Sequence, residues 1–521
     1  MAAAAVLPRR MAAASRHPKT TSFHLSTRAR EVLRIRAEAT NRAVALGFPD
    51  HTHNGDQTRH DPRWVCYSKG LPHTPNGEAD AAAVRALAAA IDARDARALE
   101  AVPLGGYMKL ANPEAAFAYD LIGPDSHQLS TALPPACDSA EQAAEAVELY
   151  WKALARDVPF DEYEMSPIIA AAAKELSALG GFRGPRINGR VTPASVFRGG
   201  IAGGMVGPYV SQFLWRDLPW TPIRIPQLIR VAAPQTDYLT DEASWLAIQN
   251  GGVFPVNDYH TTPRYVRTGR DLAELVHRDF TYQEFLGAAL MLFRMSAPID
   301  GGMAYQHSLT QSGFVTFGPS DILHIVAIVA NIALKAAWYQ KWVVHRRLRP
   351  EEFGARVHFH SRGVARYPLH ADVLNSTVVD RVGKLYGAKL LPQSYPEGAP
   401  LHPSYPAGHA VVAGACATAL KACFAESYVI PDPVVPSNDG LHLVPYRGAE
   451  LTVGNELDKL AENVAFSRNF AGIHWRSDGT DGIRFGEAVA IEILREMKLT
   501  ANKTFGGYSL TKFDGRRIVI E

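Results

Sequence analysis

Apolar positions along this chain recur mostly at helical spacing. Residues 79–101, 281–296, 456–471 and 480–497 each carry an apolar stripe, and residues 27–46 read as a basic amphipathic helix. Ser139-Ala-Glu-Gln142 is a capping-box signature that opens an Ala/Glu-rich helix running to about Arg156. Residues 321–345 form a more apolar helix for which Ser320 is the expected N-cap, and small residues from Ala407 onward predict another. Stretches near 185–210, 219–236 and 388–406 are rich in Pro and Gly and read as loops. Only the tail alternates, around Asp514-Gly515, which predicts a small hairpin. No internal repeat stands out.

The expected fold is therefore mainly α with a small C-terminal β-hairpin. At 521 residues, 47% hydrophobic and 20% charged, the chain can bury a large core. Three regions are expected: an arm over 1–50, an N-terminal helical region over 51–310 and a C-terminal helical region over 311–521. The formal charge of +2 gives no footprint for nucleic acid or an anionic membrane. The most apolar run, Ile322 to Leu334, contains His and Asn and falls short of the roughly 18 residues a membrane span needs.

Cysteines 66, 137, 416 and 423 do not make a disulfide scaffold. Cys416 and Cys423 sit about 10 Å apart on one helix, whereas Cys66 and Cys137 are left open to pairing. None resembles a metal cluster or a nucleophile. Through Arg30 the N-terminus has no acidic residue, a composition that fits either a transit peptide or an arm that is disordered or embraces an oligomer.

Candidate chemistry concentrates in three motifs of the last third. They run from Lys341 to Arg349-Pro350, from His402-Pro-Ser-Tyr-Pro to Ala407-Gly408-His409, and from Ser467-Arg468 through His474 to Asp478. Burying a multiply charged oxyanion requires fixed cations and hydrogen-bond donors, and arginine supplies both without losing its charge. Pro350 biases Arg349 away from helical geometry, so the chain can turn there and bring Lys341 and Arg349 to one point. Gly408, at a helix start, exposes backbone N–H groups to an anion, and His409 stands in the same turn for proton transfer. The helix of Arg468 should end near Gly472, leaving His474 on a turn, where its imidazole could bond the central atom. Asp478 could orient that imidazole or cap a helix, with Gly479 following. His345, Arg346 and Arg347 read as a solvated helix end.

These motifs resemble those of the superfamily that joins vanadium-dependent haloperoxidases to acid phosphatases. Its pattern of Ser-Arg, five residues, His, three residues and Asp is matched from Ser467 to Asp478. The spacing from Lys341 to Arg349 and the presence of His402 are similar to red-algal bromoperoxidases. Ser68-Lys-Gly-Leu-Pro-His, Gly207-Pro-Tyr-Val-Ser-Gln-Phe, Ser244-Trp-Leu-Ala-Ile-Gln-Asn-Gly and Trp338-Tyr-Gln-Lys-Trp extend the likeness from about residue 50 to the C-terminus. The sequence departs at Ala407, where the superfamily usually has a serine that bonds the anion.

The resemblance implies two four-helix bundles, the second carrying the site, a homo-oligomer as large as a dodecamer, and vanadate as cofactor. It implies an enzyme that oxidises bromide, or iodide, and less readily chloride, with hydrogen peroxide to hypohalous acid for an organic acceptor. His474 would be the axial vanadium ligand. Lys341, Arg349, Arg468 and Gly408 would hold the oxygens, with His409, Lys341 and His402 in catalytic roles and Ala407 and Asp478 behind them. Two other readings are an acid phosphatase with His474 as nucleophile and a non-catalytic oxyanion binder.

Overall fold

The computed structural model describes residues 23–521, so the acid-free leader expected from the sequence lies outside the described residues except at its C-terminal end. The chain divides into two compact units, Met1–Gly47 and Phe48–Glu521. Among the described residues, the first contains one helix, Phe23–Leu46, which covers the basic amphipathic stretch.

The second unit is mainly helical, as the apolar spacing requires. Its strands are three antiparallel pairs: Leu218–Trp220 with Ile223–Ile225, Val434–Pro436 with Leu443–Pro445, and Tyr508–Thr511 with Arg517–Ile520. The last pair is the expected tail hairpin, turning at Gly515 with φ +85°.

Four long helices build the larger core: Pro319–Tyr339, Gly408–Cys423, Val453–Phe470 and Arg476–Leu499. The small residues of Gly408–Cys423 let its neighbours approach closely. Gly414 and Gly486 leave no room for a Cβ, which would meet backbone oxygens of Ile483 and Val411 at 2.0 and 1.9 Å. A second core gathers Ala140–Ala155, Pro167–Ala178 and the turn from Phe470 to Trp475. The turn carrying His474 thus sits where the two cores meet.

Several boundaries differ from the sequence reading. The apolar helix starts at Pro319 behind Gly318, not at a Ser320 cap, because proline needs no N–H partner at the first helical position. It then passes into a π-helical turn over Gln340–His345, so the continuous helix is 27 residues long, enough to cross a membrane by length and composition. Ile322, Ile325, Val326, Val329 and Ala333 are buried in the core, which accounts for their hydropathy.

Residues 79–101 break into Ala81–Ala93 and Ala96–Glu100 at Arg94, whose φ is +54°. Ser139 does cap the Ala140–Ala155 helix, accepting from Gln142 N at 3.1 Å. The Gln142 side chain does not complete a box, because its Oε1 accepts from Arg347 Nη2 at 2.6 Å. All four cysteines are reduced and buried, including Cys66 and Cys137, which share a small apolar cluster.

Candidate active site

The three motifs converge. Lys341 lies in the π-helical turn, a distortion that often marks functional sites, and is fully buried. Arg346, at φ +46°, ends the turn. Arg349 is extended at φ −80°, ψ 156°, and Pro350 opens the next helix, as the Arg-Pro step requires. Glu352 anchors this corner, its Oε2 accepting from Arg349 N at 2.7 Å.

The guanidinium of Arg349 is the hub of the site. Nε donates to His402 O at 2.9 Å, and Nη1 donates to Ile473 O at 2.9 Å and to His474 Nε2 at 2.8 Å. Nη2 lies 3.0 and 3.2 Å from the ring nitrogens of His402. Lys341 Nζ donates to the carbonyls of Pro403 and Ser404 at 2.9 and 2.8 Å. Arg468 donates one Nη to Val276 O, and its buried Nε has no partner.

Among the described residues, no carboxylate lies within ion-pair distance of Lys341, Arg349 or Arg468. Burial and cationic neighbours work against the charged form: Lys341 is held well below the usual ammonium range by burial and Arg349, and Arg349 is lowered to about 10 chiefly by burial. Desolvating a cation costs several kcal/mol unless it is paired, so the cluster is built for an anion. The Gly408–Cys423 helix points its first turn at this region with no side-chain cap from Ala407, leaving helix-start N–H groups as further donors. A Cβ on Gly408 would press on Leu334 at 3.1 Å and Trp338 at 3.4 Å.

His474 has a defined tautomer. Its Nδ1 faces Asp478 Oδ2 at 2.7 Å, an oxygen that can only accept, and its Nε2 faces an arginine N–H, which can only donate. Nδ1 therefore carries the proton, and the Nε2 lone pair is presented to the cations. Burial, then Arg349, Lys341 and Arg468, keep the ring far below the ordinary histidine range and neutral.

Asp478 is not the N-cap the sequence allowed. Trp475 occupies that position, and Asp478 stands three residues in, reaching back to accept from Trp475 N at 3.0 Å while orienting His474. Ser404 Oγ also donates to Asp478 Oδ2, and Ala407 N donates to Asp478 O at 3.0 Å.

Arg347 overturns the solvated reading of its neighbourhood. It is buried, donating to Asp478 Oδ1 at 2.8 Å, Ser477 Oγ at 2.8 Å, Gln142 Oε1 at 2.6 Å and Glu145 Oε2 at 3.1 Å. His345 is buried too, bonded through Nε2 to Thr131 at 3.0 Å, and Arg346 pairs with Asp92. The helix end is solvated only in part because carboxylates from Ala140–Ala155 and the His474 turn reach it.

His409 and His402 complete the set. His409 Nε2 lies 3.0 Å from Asp279, so Nε2 carries the proton and Nδ1 is a free acceptor. Burial and Arg468 lower its pKa although a quarter of the side chain meets solvent. His402 packs against Trp338 with ring centroids 4.7 Å apart and planes tilted by 40°, and is held well below the usual range by burial and Arg349. Asp279, Ser404 and Glu145 escaped the sequence reading, and Arg347 was read there only as solvated; Ser404 and Arg347 lie inside the motifs, whereas Asp279 and Glu145 lie far from them along the chain.

A mainly helical scaffold that buries unneutralised cations, two neutral imidazoles and a helix start in one place defines an oxyanion-handling enzyme. Residues 322–503 match the VCPO second helical-bundle domain. The chain is 37% identical over 465 residues to a vanadium-dependent bromoperoxidase of Ascophyllum nodosum, covering 83% of this chain and 82% of that protein. It is 33% identical to the vanadium-dependent bromoperoxidase of Corallina officinalis over 95% of this chain and 99% of that protein. The homohexameric second vanadate-dependent bromoperoxidase of Ascophyllum nodosum superposes with a TM-score of 0.91 at 29% identity, covering 99% of this chain and 94% of that one. The chain belongs to the vanadium-dependent haloperoxidase family.

Proposed function

We propose that this protein is a vanadate-dependent bromoperoxidase, which uses hydrogen peroxide to oxidise bromide to hypobromous acid for a small organic acceptor. The observation that carries the reading is the His474 Nε2 lone pair, fixed by Asp478 and aimed among three buried cations that have no carboxylate partner.

These residues fit vanadate. Arg349, Arg468, Lys341 and the Gly408 amide would hold its oxygens, and His474 Nε2 would ligate its vanadium. When bound, vanadate supplies a Lewis-acid centre that makes peroxide electrophilic without a change of metal oxidation state.

The chain's own groups then divide the proton work. His409 is neutral near pH 7 and accepts the first peroxide proton on Nδ1, since Nε2–H is committed to Asp279. Lys341, with two donors tied to Pro403 and Ser404, directs its remaining N–H to the peroxide oxygen that bromide attacks. His402, beside Arg349 and over Trp338, borders the halide approach and sets its preference for bromide, with iodide as the next candidate. Bromide, peroxide and one proton become hypobromous acid and water.

The assembly is a homo-oligomer. The homohexamer of the structural neighbour favours that order over the dodecamer expected from the algal likeness. Light scattering decides between them, and a clean monomer would remove the assembly.

The test is bromination of a phenolic dye by vanadate-free protein, with bromide and peroxide, before and after orthovanadate. Turnover that appears with vanadate and is suppressed by phosphate supports the reading. Phosphomonoester hydrolysis without bromination would assign His474 as a nucleophile instead. Bound vanadate with neither activity would leave an oxyanion binder.

A further inference from the structure

Far along the chain from the three motifs, the second unit gathers a different donor set. Asp56, His60, Cys137 and Asp138 each offer one ligand atom, and these atoms all lie within 4.8 Å of one another. Two short segments supply them. Asp56 opens the one-turn Asp56–Arg59 helix, and His60 follows it as the extended residue that ends the turn. Cys137 and Asp138 end the Pro134-Pro135-Ala136 approach to the cap of the Ala140–Ala155 helix.

The individual donors are prepared for coordination. Asp56 is buried and held in place: Oδ1 accepts from Arg59 at 2.8 Å, and Oδ2 accepts from Asn54 Nδ2 at 2.8 Å and from Cys137 N at 3.0 Å. Metal-binding carboxylates are oriented by hydrogen bonds of this kind. The Cys137 thiol is free and 4% exposed. His60 Nε2 is buried without a hydrogen-bond partner, although its natural partner, Asp138 Oδ2, stands only 3.5 Å away. A tetrahedral ion with bonds of ~2.0–2.3 Å sets its ligands ~3.3–3.8 Å apart, so that pair already has the required separation.

Charge argues the same way. Two carboxylates face one another across the cluster with Arg59 as the paired cation. The combination of sulfur, imidazole and carboxylate selects zinc over calcium or magnesium, which prefer oxygen-only sites.

We propose that Asp56, His60, Cys137 and Asp138 form a structural zinc site that ties the 54–60 segment to the entry of the Ala140–Ala155 helix. The site acts at a distance from the vanadate residues but on their support. The helix it anchors carries Gln142 and Glu145, which hold Arg347 behind Asp478.

The test uses the full chain, purified without added metal and freed of adventitious ions on a chelating resin. After incubation with Zn²⁺ and removal of excess, wild type retains about one zinc per chain by elemental analysis, releases protons on binding and gains thermal stability. Co²⁺ in place of zinc gives a thiolate-to-cobalt charge-transfer band in the near ultraviolet. Cys137→Ser loses that band and the retained zinc. His60→Gln, at the end of a short surface helix, loses zinc while keeping the helical circular dichroism of the parent. It decides the matter if the cysteine variant fails to fold. A wild type that retains no zinc, or retention that is the same in folded His60→Gln or Cys137→Ser, overturns the proposal.

Discussion

Replacing Asp478 by asparagine changes one carboxylate to an amide of the same shape, so its effects are electrostatic. Oδ2 accepts from His474 Nδ1 at 2.7 Å and Trp475 N at 3.0 Å, and Oδ1 accepts from Arg347 at 2.8 Å. An amide accepts on one side only. If its oxygen faces His474, its NH₂ faces the Arg347 guanidinium; if it turns, the NH₂ faces an imidazole N–H. Either way one charge-assisted bond of ~1.5–3 kcal/mol is lost and a donor meets a donor in a buried place. Arg347 keeps Glu145, Gln142 and Ser477, which limits the expected loss of folding stability to ~3 kcal/mol. The larger effect falls on His474. Without a carboxylate behind it, Nε2 is a poorer ligand and its tautomer is no longer imposed, so vanadate affinity should fall ~10–100-fold, or ~1.4–2.7 kcal/mol. Urea unfolding gives the first quantity, and titration of vanadate-free protein with orthovanadate under bromide turnover gives the second. A folded Asp478→Asn that takes up vanadate as tightly as wild type would refute the orienting role.

Other outcomes follow from the same geometry. His474→Ala should abolish vanadate-dependent bromination; retained turnover would refute the axial assignment. Ala407→Ser places a hydroxyl at an extended helix-cap residue, φ −67°, ψ 123°, and should strengthen vanadate binding ~5-fold, about one hydrogen bond, in the same titration. Arg347→Met leaves Glu145 and Asp478 facing each other without their shared cation. It should destabilise the fold by ~3–5 kcal/mol in urea, and a neutral result would mean the cluster is not electrostatically coupled. Burial, then Arg347, drives His345 down to about 3, whereas an unfolded histidine titrates near 6.5. The unfolded state therefore binds the extra proton, and stability present above pH ~6.5 is lost as pH falls toward 3. Between pH 6 and 4.5 this histidine contributes a slope of ~1.4 kcal/mol per pH unit. His345→Gln should remove that increment; unfolding curves with unchanged pH dependence would contradict it.

The sequence made the site legible where local chemistry dictates local shape. Arg349 had to be extended because proline follows it, and Gly472, with φ +85°, had to end a helix, so His474 left the face of Arg468. The combination of Lys341, Arg349, Arg468 and helix-start glycine pointed to an anion without any knowledge of distances. What escaped were groups whose role comes from a partner far along the chain. Asp279 meets His409 across 130 residues, and Arg347 meets Asp478 across 131. Read in sequence, Arg347 is one more charge in a basic run.

The Ala140–Ala155 helix explains why such charges deceive. Glu145 and Glu148 look like the polar face of an amphipathic helix, yet both are buried, because Arg347 and Arg476 come in from another element to meet them. A charged residue on a helix is normally solvent-facing, since burying it alone costs several kcal/mol. Here the cost is offset pair by pair, and the pairs converge on the turn from His474 to Asp478. Burial, with Asp478 nearby, keeps Glu145 up at about 7 despite Arg347. The buried ion pairs behind the site are therefore better understood as setting the position of Asp478, and through it the His474 lone pair, than as a source of net stability. Periodicity cannot reveal such a layer. It reports which face of a helix is apolar, whereas this layer is polar and becomes interior only when the two cores meet at the His474 turn.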